Sequence, residues 1–102
     1  MNQKSKNALV TGASKGVGKG IALGLAEDGW NVGVNYYQDQ AGAETTAQAI
    51  EAQGQKAWVL QADVGYSDQV EAMFKQFIEL AGRIDLLVNN CLLSTTDAAD
   101  DN

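Results

Sequence analysis

The chain has 102 residues, of which 45% are hydrophobic and 20% charged, a composition that fits a single globular domain with a modest core. Its net charge of -6 argues against a nucleic acid partner, and no apolar run reaches the roughly 20 residues that span a bilayer, so we expect a cytoplasmic protein. Histidine is absent and Cys91 is the only cysteine, which excludes an intramolecular disulfide, a cysteine or histidine metal site, and Ser-His-Asp catalysis.

The first predicted strand, residues 7–11, leads into a glycine-rich stretch and then into an amphipathic helix. A glycine-rich turn between a buried strand and a helix brings backbone N-H groups to the positive end of the helix dipole, where a pyrophosphate can bind. This context predicts a phosphate-binding loop, the alternative being a turn that binds nothing. We expect Gly20 and Gly24 to give the helix a thin face that packs closely on the sheet. The glycine-rich stretch reads Thr11-Gly12-Ala13-Ser14-Lys15-Gly16-Val17-Gly18.

From there to residue 89 the chain alternates between strands and helices. Strands are predicted at residues 30–36, 57–60 and 84–89, and a second helix at residues 41–53. The alternation, with right-handed crossovers, predicts an α/β fold: a Rossmann-type parallel sheet in strand order 3-2-1-4 with three helices. The third helix, with Ser67 as its N-cap and Gly82 at its end, has apolar residues at helical spacing, namely Val70, Met73, Phe74, Phe77, Ile78 and Ala81.

Three stretches fall at the carboxyl ends of the predicted strands, where a sheet of this order forms its ligand crevice. The spacing Thr-Gly-x-x-x-Gly-x-Gly, found at Thr11, Gly12, Gly16 and Gly18, resembles that of the short-chain dehydrogenase/reductase family. Two later stretches resemble the family's adenine-contacting pair and the start of its Asn-Asn-Ala-Gly motif; they are Asp63-Val64 and Leu87-Val88-Asn89-Asn90.

The resemblance implies an oxidoreductase that transfers hydride between a nicotinamide dinucleotide and a carbonyl or alcohol. It implies that Asp63 accepts a hydrogen bond from the adenine amino group and that the backbone of Val64 contacts the ring. Asn90 would help to hold the central sheet and the nicotinamide side of the site. From the pattern alone, Asp63 could instead be a solvated carboxylate at a strand end.

The end of the second strand favours NADP over NAD as the cofactor. An NAD-selective site usually places Asp or Glu there to bind the ribose 2'-hydroxyl and repel a 2'-phosphate. Here the region reads Val34-Asn35-Tyr36-Tyr37, with no carboxylate until Asp39. Lys15 can reach the same ribose as a point charge, although it could also be an ordinary exposed lysine on a turn. The predicted cofactor-binding residues are Gly12, Ser14, Lys15, Gly16, Val17, Gly18, Asn35, Tyr36, Asp63, Val64 and Asn90, and no metal ligand is predicted.

No catalytic residue can be assigned. Family members transfer the proton with a tyrosine and a lysine in the pattern Tyr-x-x-x-Lys, and none of the three tyrosines here fits it. Cys91-Leu92 stands where the family has Ala-Gly, and the rest of residues 91–102 reads as a divergent, flexible acidic tail. Residues 1–90 are therefore predicted to form a partial dinucleotide-binding domain, resembling a truncated or frame-shifted product of a longer dehydrogenase.

Three classes of function remain open. The chain could be the nucleotide-binding portion of an oxidoreductase that is catalytically incomplete alone, a nucleotide-binding regulatory module, or an interaction protein that pairs with a full-length relative. An apolar fourth strand with a free edge, on a sheet with a single helix on one face, predicts self-association or pairing through that strand.

Overall fold

The computed structural model describes residues 6–90. All strand pairs in the sheet are parallel, and the strand order is β3-β2-β1-β4. The predicted α/β fold, a Rossmann-type sheet of order 3-2-1-4 with three helices, is therefore confirmed. The elements in chain order are β1 (Lys6–Val10), α1 (Gly16–Glu27), β2 (Trp30–Tyr36), α2 (Gln40–Ala52), β3 (Ala57–Gln61), α3 (Ser67–Ala81) and β4 (Leu86–Val88).

Two clusters of buried side chains lie on opposite faces of the sheet. Neighbouring residues of a strand point to opposite faces, and Leu9 and Val10 of β1 accordingly belong to different clusters. The first cluster lies under α1 and α2 and contains Val10, Ala22, Ala26, Val32, Val34, Ala43 and Ile50. The second lies under α3 and contains Leu9, Leu60, Met73 and Phe77. This division is the one that right-handed crossovers require.

Phe77 anchors α3 on the sheet. The register places Leu9 beside Gly33 of β2 and Leu87 of β4. Gly33 makes room for the Phe77 ring, because a Cβ at this position would lie 2.6 Å from Cε1 of Phe77. The ring also meets Trp58 of β3 edge-on, with ring centroids 5.5 Å apart. The fit of the Phe77 ring against Gly33 and Trp58 therefore fixes where α3 crosses the sheet.

Two details of the helices differ from the prediction. Gly20 and Gly24 face open space, and the buried face of α1 is formed by Gly18 together with two alanines. The expected thin glycine face is therefore wrong, because the helix is rotated to bring Gly18 against the loop that precedes it. In α3, Ser67 is the first helical residue, and Tyr66 holds the N-cap position without a capping side-chain hydrogen bond. The predicted serine cap is also wrong.

β4 is shorter than the strand predicted at residues 84–89. It spans three residues and, within the described part of the chain, pairs only with β1. Leu87 is 43% exposed and Ile78 of α3 is 44% exposed. Both side chains would be buried in an interior strand and in the helix that covers it. Of the three apolar residues of β4, Leu87 is exposed, as predicted for this edge, whereas Leu86 and Val88 are partly buried.

Candidate nucleotide-binding site

The carboxyl ends of the strands are joined to one another beyond the sheet itself. The Thr11 amide donates to the Val88 carbonyl at 3.0 Å, which joins the end of β1 to β4. The Ala13 amide donates to the carbonyl of Asn35 at 2.9 Å, which joins the segment after β1 to β2. The structure thus brings the predicted loop and strand ends together at one edge.

Glycines shape the loop between β1 and α1. Gly12 and Gly16 have φ angles of 60° and 63°, a left-handed conformation that side-chain-bearing residues rarely adopt. Gly18 has a different role, because a Cβ there would overlap the carbonyl of Gly12 and lie 2.6 Å from Nδ2 of Asn90. Two glycines therefore turn the chain, and the third lets the helix start against the loop.

The amino terminus of α1 is open to an anion. Lys15 holds the N-cap position in an extended conformation, no side chain caps the helix, and its first turn carries no acidic residue. The amides of the first helical turn, starting at Gly16 and Val17, have no partner within the helix. By contrast, the Asp39 carboxylate caps α2, and α3 carries Asp68 in its first turn. Among the described helices, α1 alone offers a first turn that is neither capped nor negatively charged.

An open cleft of about 570 Å³ lies beside this helix terminus. It brings together five of the predicted cofactor-binding residues, Gly12, Ser14, Lys15, Gly16 and Tyr36. Its other lining residues are Tyr37, Gln38 and Asp39, which the sequence analysis left out of the predicted site. Val17 is exposed next to the loop without lining the cleft.

Helix α2 supports the wall of this cleft. Oδ1 of Asp39 accepts a hydrogen bond from the Gly42 amide at 3.0 Å, which holds the carboxylate at the start of α2. A Cβ at Gly42 would lie 2.7 Å from the carbonyl oxygen of Ser14, so α2 sits directly against the loop. The buried Thr46 hydroxyl donates to the Ala13 carbonyl at 3.0 Å. Sequence patterns gave no sign of this contact, because Thr46 reads as an ordinary helical residue.

The segment after β3 is held in a fixed shape. Oδ1 of Asp63 accepts a hydrogen bond from the Gly65 amide at 2.9 Å, and the Asp63 amide donates to Oε1 of Gln69 at 2.8 Å. Val64 lines a second, smaller cavity of about 130 Å³ next to Thr11 and residues of α3 and β4. Asp63 and Val64 are thus at the predicted edge but do not line the cleft of about 570 Å³ beside α1.

Asn90 links the end of β4 to the glycine loop. Its amide donates to the Thr11 hydroxyl at 2.8 Å, and its side-chain Nδ2 donates to the Gly12 carbonyl at 3.3 Å. These contacts fit the sheet-holding role that the resemblance implies. Its contact with a nicotinamide stays a prediction.

Asn35 differs from the other predicted binding residues because it is 2% exposed. Its Oδ1 accepts a hydrogen bond from the Gly12 amide at 3.0 Å, so the side chain acts on the loop. Tyr36, the next residue, lines the cleft instead. Direct contact between Asn35 and a cofactor stays a prediction.

Within residues 6–90, no helix is long and apolar enough to cross a membrane. In the same range, no three potential metal-ligating side chains lie close enough together to hold an ion. The expected cytoplasmic location stays a prediction. So does the boundary at residue 90, since the acidic tail predicted at residues 91–102 lies outside the described residues.

Comparison with known sequences identifies related proteins. The sequence model of the short chain dehydrogenase family matches residues 6–101. The 3-oxoacyl-(acyl-carrier-protein) reductase FabG of Staphylococcus aureus is 48% identical over 86 residues, which cover 84% of this chain and 35% of that protein. The short-chain dehydrogenase/reductase homolog YusS of Bacillus subtilis is 39% identical over 101 residues, which cover 99% of this chain and 93% of YusS.

Solved structures with the same fold are also described as dehydrogenases. Acetoin dehydrogenase from Enterobacter cloacae superposes with a TM-score of 0.83 at 39% identity, covering 87% of this chain and 35% of that one. A Burkholderia cenocepacia protein solved with NADP bound superposes with a TM-score of 0.81 at 36% identity, covering 83% of this chain and 33% of that one. The chain thus spans about a third of the length of FabG and of both solved structures, but nearly all of YusS. These relatives favour the oxidoreductase hypothesis over the regulatory-module and interaction-protein hypotheses.

Proposed function

The chain belongs to the short-chain dehydrogenase/reductase family, and on this premise we propose that it is the NADP-binding portion of an oxidoreductase. The observation that carries the proposal is the open amino terminus of α1, which follows Lys15 directly and borders the cleft of about 570 Å³. Unpaired amides and the positive end of the helix dipole suit the pyrophosphate of a dinucleotide. Gly16 leaves open space where a side chain would otherwise stand.

The preference for NADP rests on the charges around the cleft. Lys15 supplies a positive charge that a 2'-phosphate would meet at the cleft wall. Asp39 is the carboxylate on the same wall, but its Oδ1 already accepts the Gly42 amide at the start of α2. A carboxylate fixed as a helix cap is poorly placed to accept hydrogen bonds from both hydroxyl groups of a ribose. The NADP bound in the B. cenocepacia relative supports the same choice.

Bound NADPH would supply the hydride, and this chain would supply only the binding and orientation of the cofactor. Proton transfer in the family resides in Tyr-x-x-x-Lys, and the residues four places after Tyr36, Tyr37 and Tyr66 are Gln40, Ala41 and Val70. We therefore propose that the chain alone does not complete the reaction. We also propose that it associates with itself through β4, whose outer edge has no partner strand among the described residues.

Titration with NADPH and NADH, followed by cofactor fluorescence, tests the cofactor preference. Wild type should bind NADPH more tightly. Lys15→Met should weaken NADPH binding about tenfold, the scale of one charge-assisted hydrogen bond, and leave NADH binding unchanged. The difference in NADPH affinity between wild type and Lys15→Met should shrink at high salt, because an exposed charge pair is screened.

Asp39→Asn is the matched control for Lys15→Met. It keeps an oxygen for the Gly42 amide, and so keeps the cap on α2, while it removes the negative charge from the cleft wall. NADPH binding should become tighter and NADH binding should not weaken. Equal affinities for the two cofactors in wild type, or a preference for NADH, would refute the NADP assignment. Oxidation of NADPH by the purified chain with carbonyl substrates would refute its catalytic incompleteness.

A further inference from the structure

The buried side chain of Asn35 joins the segments that follow β1 and β3. Its Oδ1 accepts the Gly12 amide at 3.0 Å. Its Nδ2 donates to the carbonyls of Leu60 and Ala62 at 3.2 and 3.3 Å, with the Tyr36 carbonyl at 3.4 Å. One amide group at the end of β2 therefore bonds to the first glycine of the phosphate loop and to the residue before Asp63.

Main-chain hydrogen bonds at the same place reinforce this link. The Ala13 amide donates to the Asn35 carbonyl, and the Ala62 amide donates to the Tyr36 carbonyl, both at 2.9 Å. The glycine loop is thus bonded to Asn35, and the segment that carries Asp63 is bonded to Asn35 and Tyr36. These two consecutive residues of β2 link the loop to the segment.

We propose that Asn35 is a positioning residue that sets the distance between the phosphate-binding loop and Asp63 without touching the cofactor. This inference rests on the proposed function, because a dinucleotide spans both places and binds tightly only if they are correctly spaced. Asn35 acts through Gly12 on one side and through Ala62 on the other.

The chemistry of the position explains why an asparagine stands there. The side chain must be short, must accept one hydrogen bond and must donate two, and it must do so without charge in a buried place. A carboxylate has no donor, and a hydroxyl has one. An aliphatic side chain would remove the acceptor of the Gly12 amide and the donor to the Leu60 and Ala62 carbonyls.

Asn31 provides a matched control within the same strand. It is also buried, at 8% exposure. Its Nδ2 donates to Oδ1 of Asn7 at 3.1 Å, and its Oδ1 accepts from the amide of Lys56 at 3.0 Å and from Nε2 of Gln55 at 3.1 Å. Asn31 thus shares the residue type, the strand and the kind of bonding of Asn35, but it lies at the amino end of the sheet, away from the cleft.

Amide hydrogen exchange without cofactor tests the first half of the inference. Asn35→Ala should raise the exchange rate of the Gly12 amide at least about tenfold, because that amide loses its acceptor. Asn31→Ala should destabilise the protein comparably and leave the Gly12 amide as slow, relative to global unfolding, as in wild type. Equal Gly12 exchange in the two variants would overturn the inference. If Asn35→Ala does not fold, Asn35→Val carries the same comparison, since it also removes the acceptor of the Gly12 amide while filling more of the space of the asparagine side chain.

Cofactor titration tests the second half. Asn35→Ala should weaken both NADPH and NADH binding, that of NADH about tenfold, because either cofactor needs the correct spacing. Asn31→Ala should leave both affinities within about twofold, and Asn35→Thr should lie between Asn35→Ala and wild type. Unchanged NADH binding in Asn35→Ala would overturn the inference, because a misplaced loop must weaken the binding of both cofactors.

A double-mutant cycle with Asp63→Ala separates positioning from simple loss of stability. The affinity lost through Asp63→Ala should be smaller when Asn35 is already alanine, because Asp63 is then misplaced. The same loss in both backgrounds would count against positioning. If the wild-type protein binds neither cofactor, the proposed function is refuted. The exchange rate of the Gly12 amide would still decide whether Asn35 holds the loop.

Discussion

Gly18, in the first turn of α1, is a position where a small change should have a large effect. A Cβ would overlap the Gly12 carbonyl and lie 2.6 Å from Nδ2 of Asn90, so Gly18→Ala must push α1 away from the loop. We expect a loss of about 1–3 kcal/mol in the free energy of unfolding, the usual range for an overpacked site, together with weaker NADPH binding. Urea denaturation and cofactor titration measure the two effects.

Gly24 in the same helix is the control. It faces open space, and alanine is the better helix former, so Gly24→Ala should raise the free energy of unfolding by about 0.5–1 kcal/mol and leave NADPH binding unchanged. A Gly18→Ala variant as stable as wild type would show that the start of α1 can move away from Gly12 at little cost in free energy.

Sequence reasoning found the residues of the loop because their chemistry is local. Glycines at Gly12 and Gly16 mark sharp turns, and a strand before and a helix after them complete the pattern. Asn35 and Thr46 support the loop from β2 and α2, and their partners Gly12 and Ala13 are distant in sequence. No spacing rule connects such pairs, so the sequence could suggest Asn35 only as a direct ligand and could not suggest Thr46 at all.

At the scale of elements, the start of α3 offers a stabilising change. Tyr66 occupies the N-cap position with φ -119° and ψ 120°, a conformation suited to a capping residue, but its side chain cannot cap and is 58% exposed. Tyr66→Ser should therefore raise the free energy of unfolding by about 1 kcal/mol through a hydrogen bond to an amide of the first turn. Thermal and urea denaturation measure the gain.

Ser67→Ala distinguishes the two candidate caps. Since Ser67 is already the first helical residue, its replacement should change the free energy of unfolding by less than about 0.5 kcal/mol. A large loss from Ser67→Ala, with no gain from Tyr66→Ser, would restore the capping role that the sequence first assigned to Ser67.

Helix periodicity predicted α3 well but could not tell how much of its apolar stripe would be covered. Met73 and Phe77 are buried, whereas Ile78 is 44% exposed. The difference arises because Phe77 packs against Gly33 of β2, which places the helix over the middle of the sheet. A pattern along one helix contains no information about where its partner surface ends.

The two faces of the whole molecule are covered unequally. Two helices pack on one face and α3 alone packs on the other, with the cavity of about 130 Å³ between α3 and β4. Its lining includes Val70, Phe74 and Leu87, the last of which is largely open to solvent. Strand order and handedness predicted this asymmetry correctly, because both follow from general rules of parallel sheets.

β4 lies at one end of the sheet, so its outer edge carries unpaired backbone groups within the described part of the chain. An apolar edge strand is a template for pairing with another chain, and Leu87 adds exposed apolar surface beside it. We therefore expect the protein to form dimers or larger species in a concentration-dependent way. Leu87→Lys should lower the association constant about tenfold or more, because a charge must then be desolvated at the contact.

Sedimentation velocity over a range of concentrations measures this association, and Tyr37→Lys is the control. Tyr37 is 53% exposed and follows β2, on the far side of β1 from β4, so the same charge placed there should leave the association constant unchanged. A cooperatively folded monomer at all concentrations, or equal effects of the two substitutions, would exclude β4 as the contact. Association that weakens only in Leu87→Lys would place the contact at β4, because both variants carry the same added charge and differ only in its position.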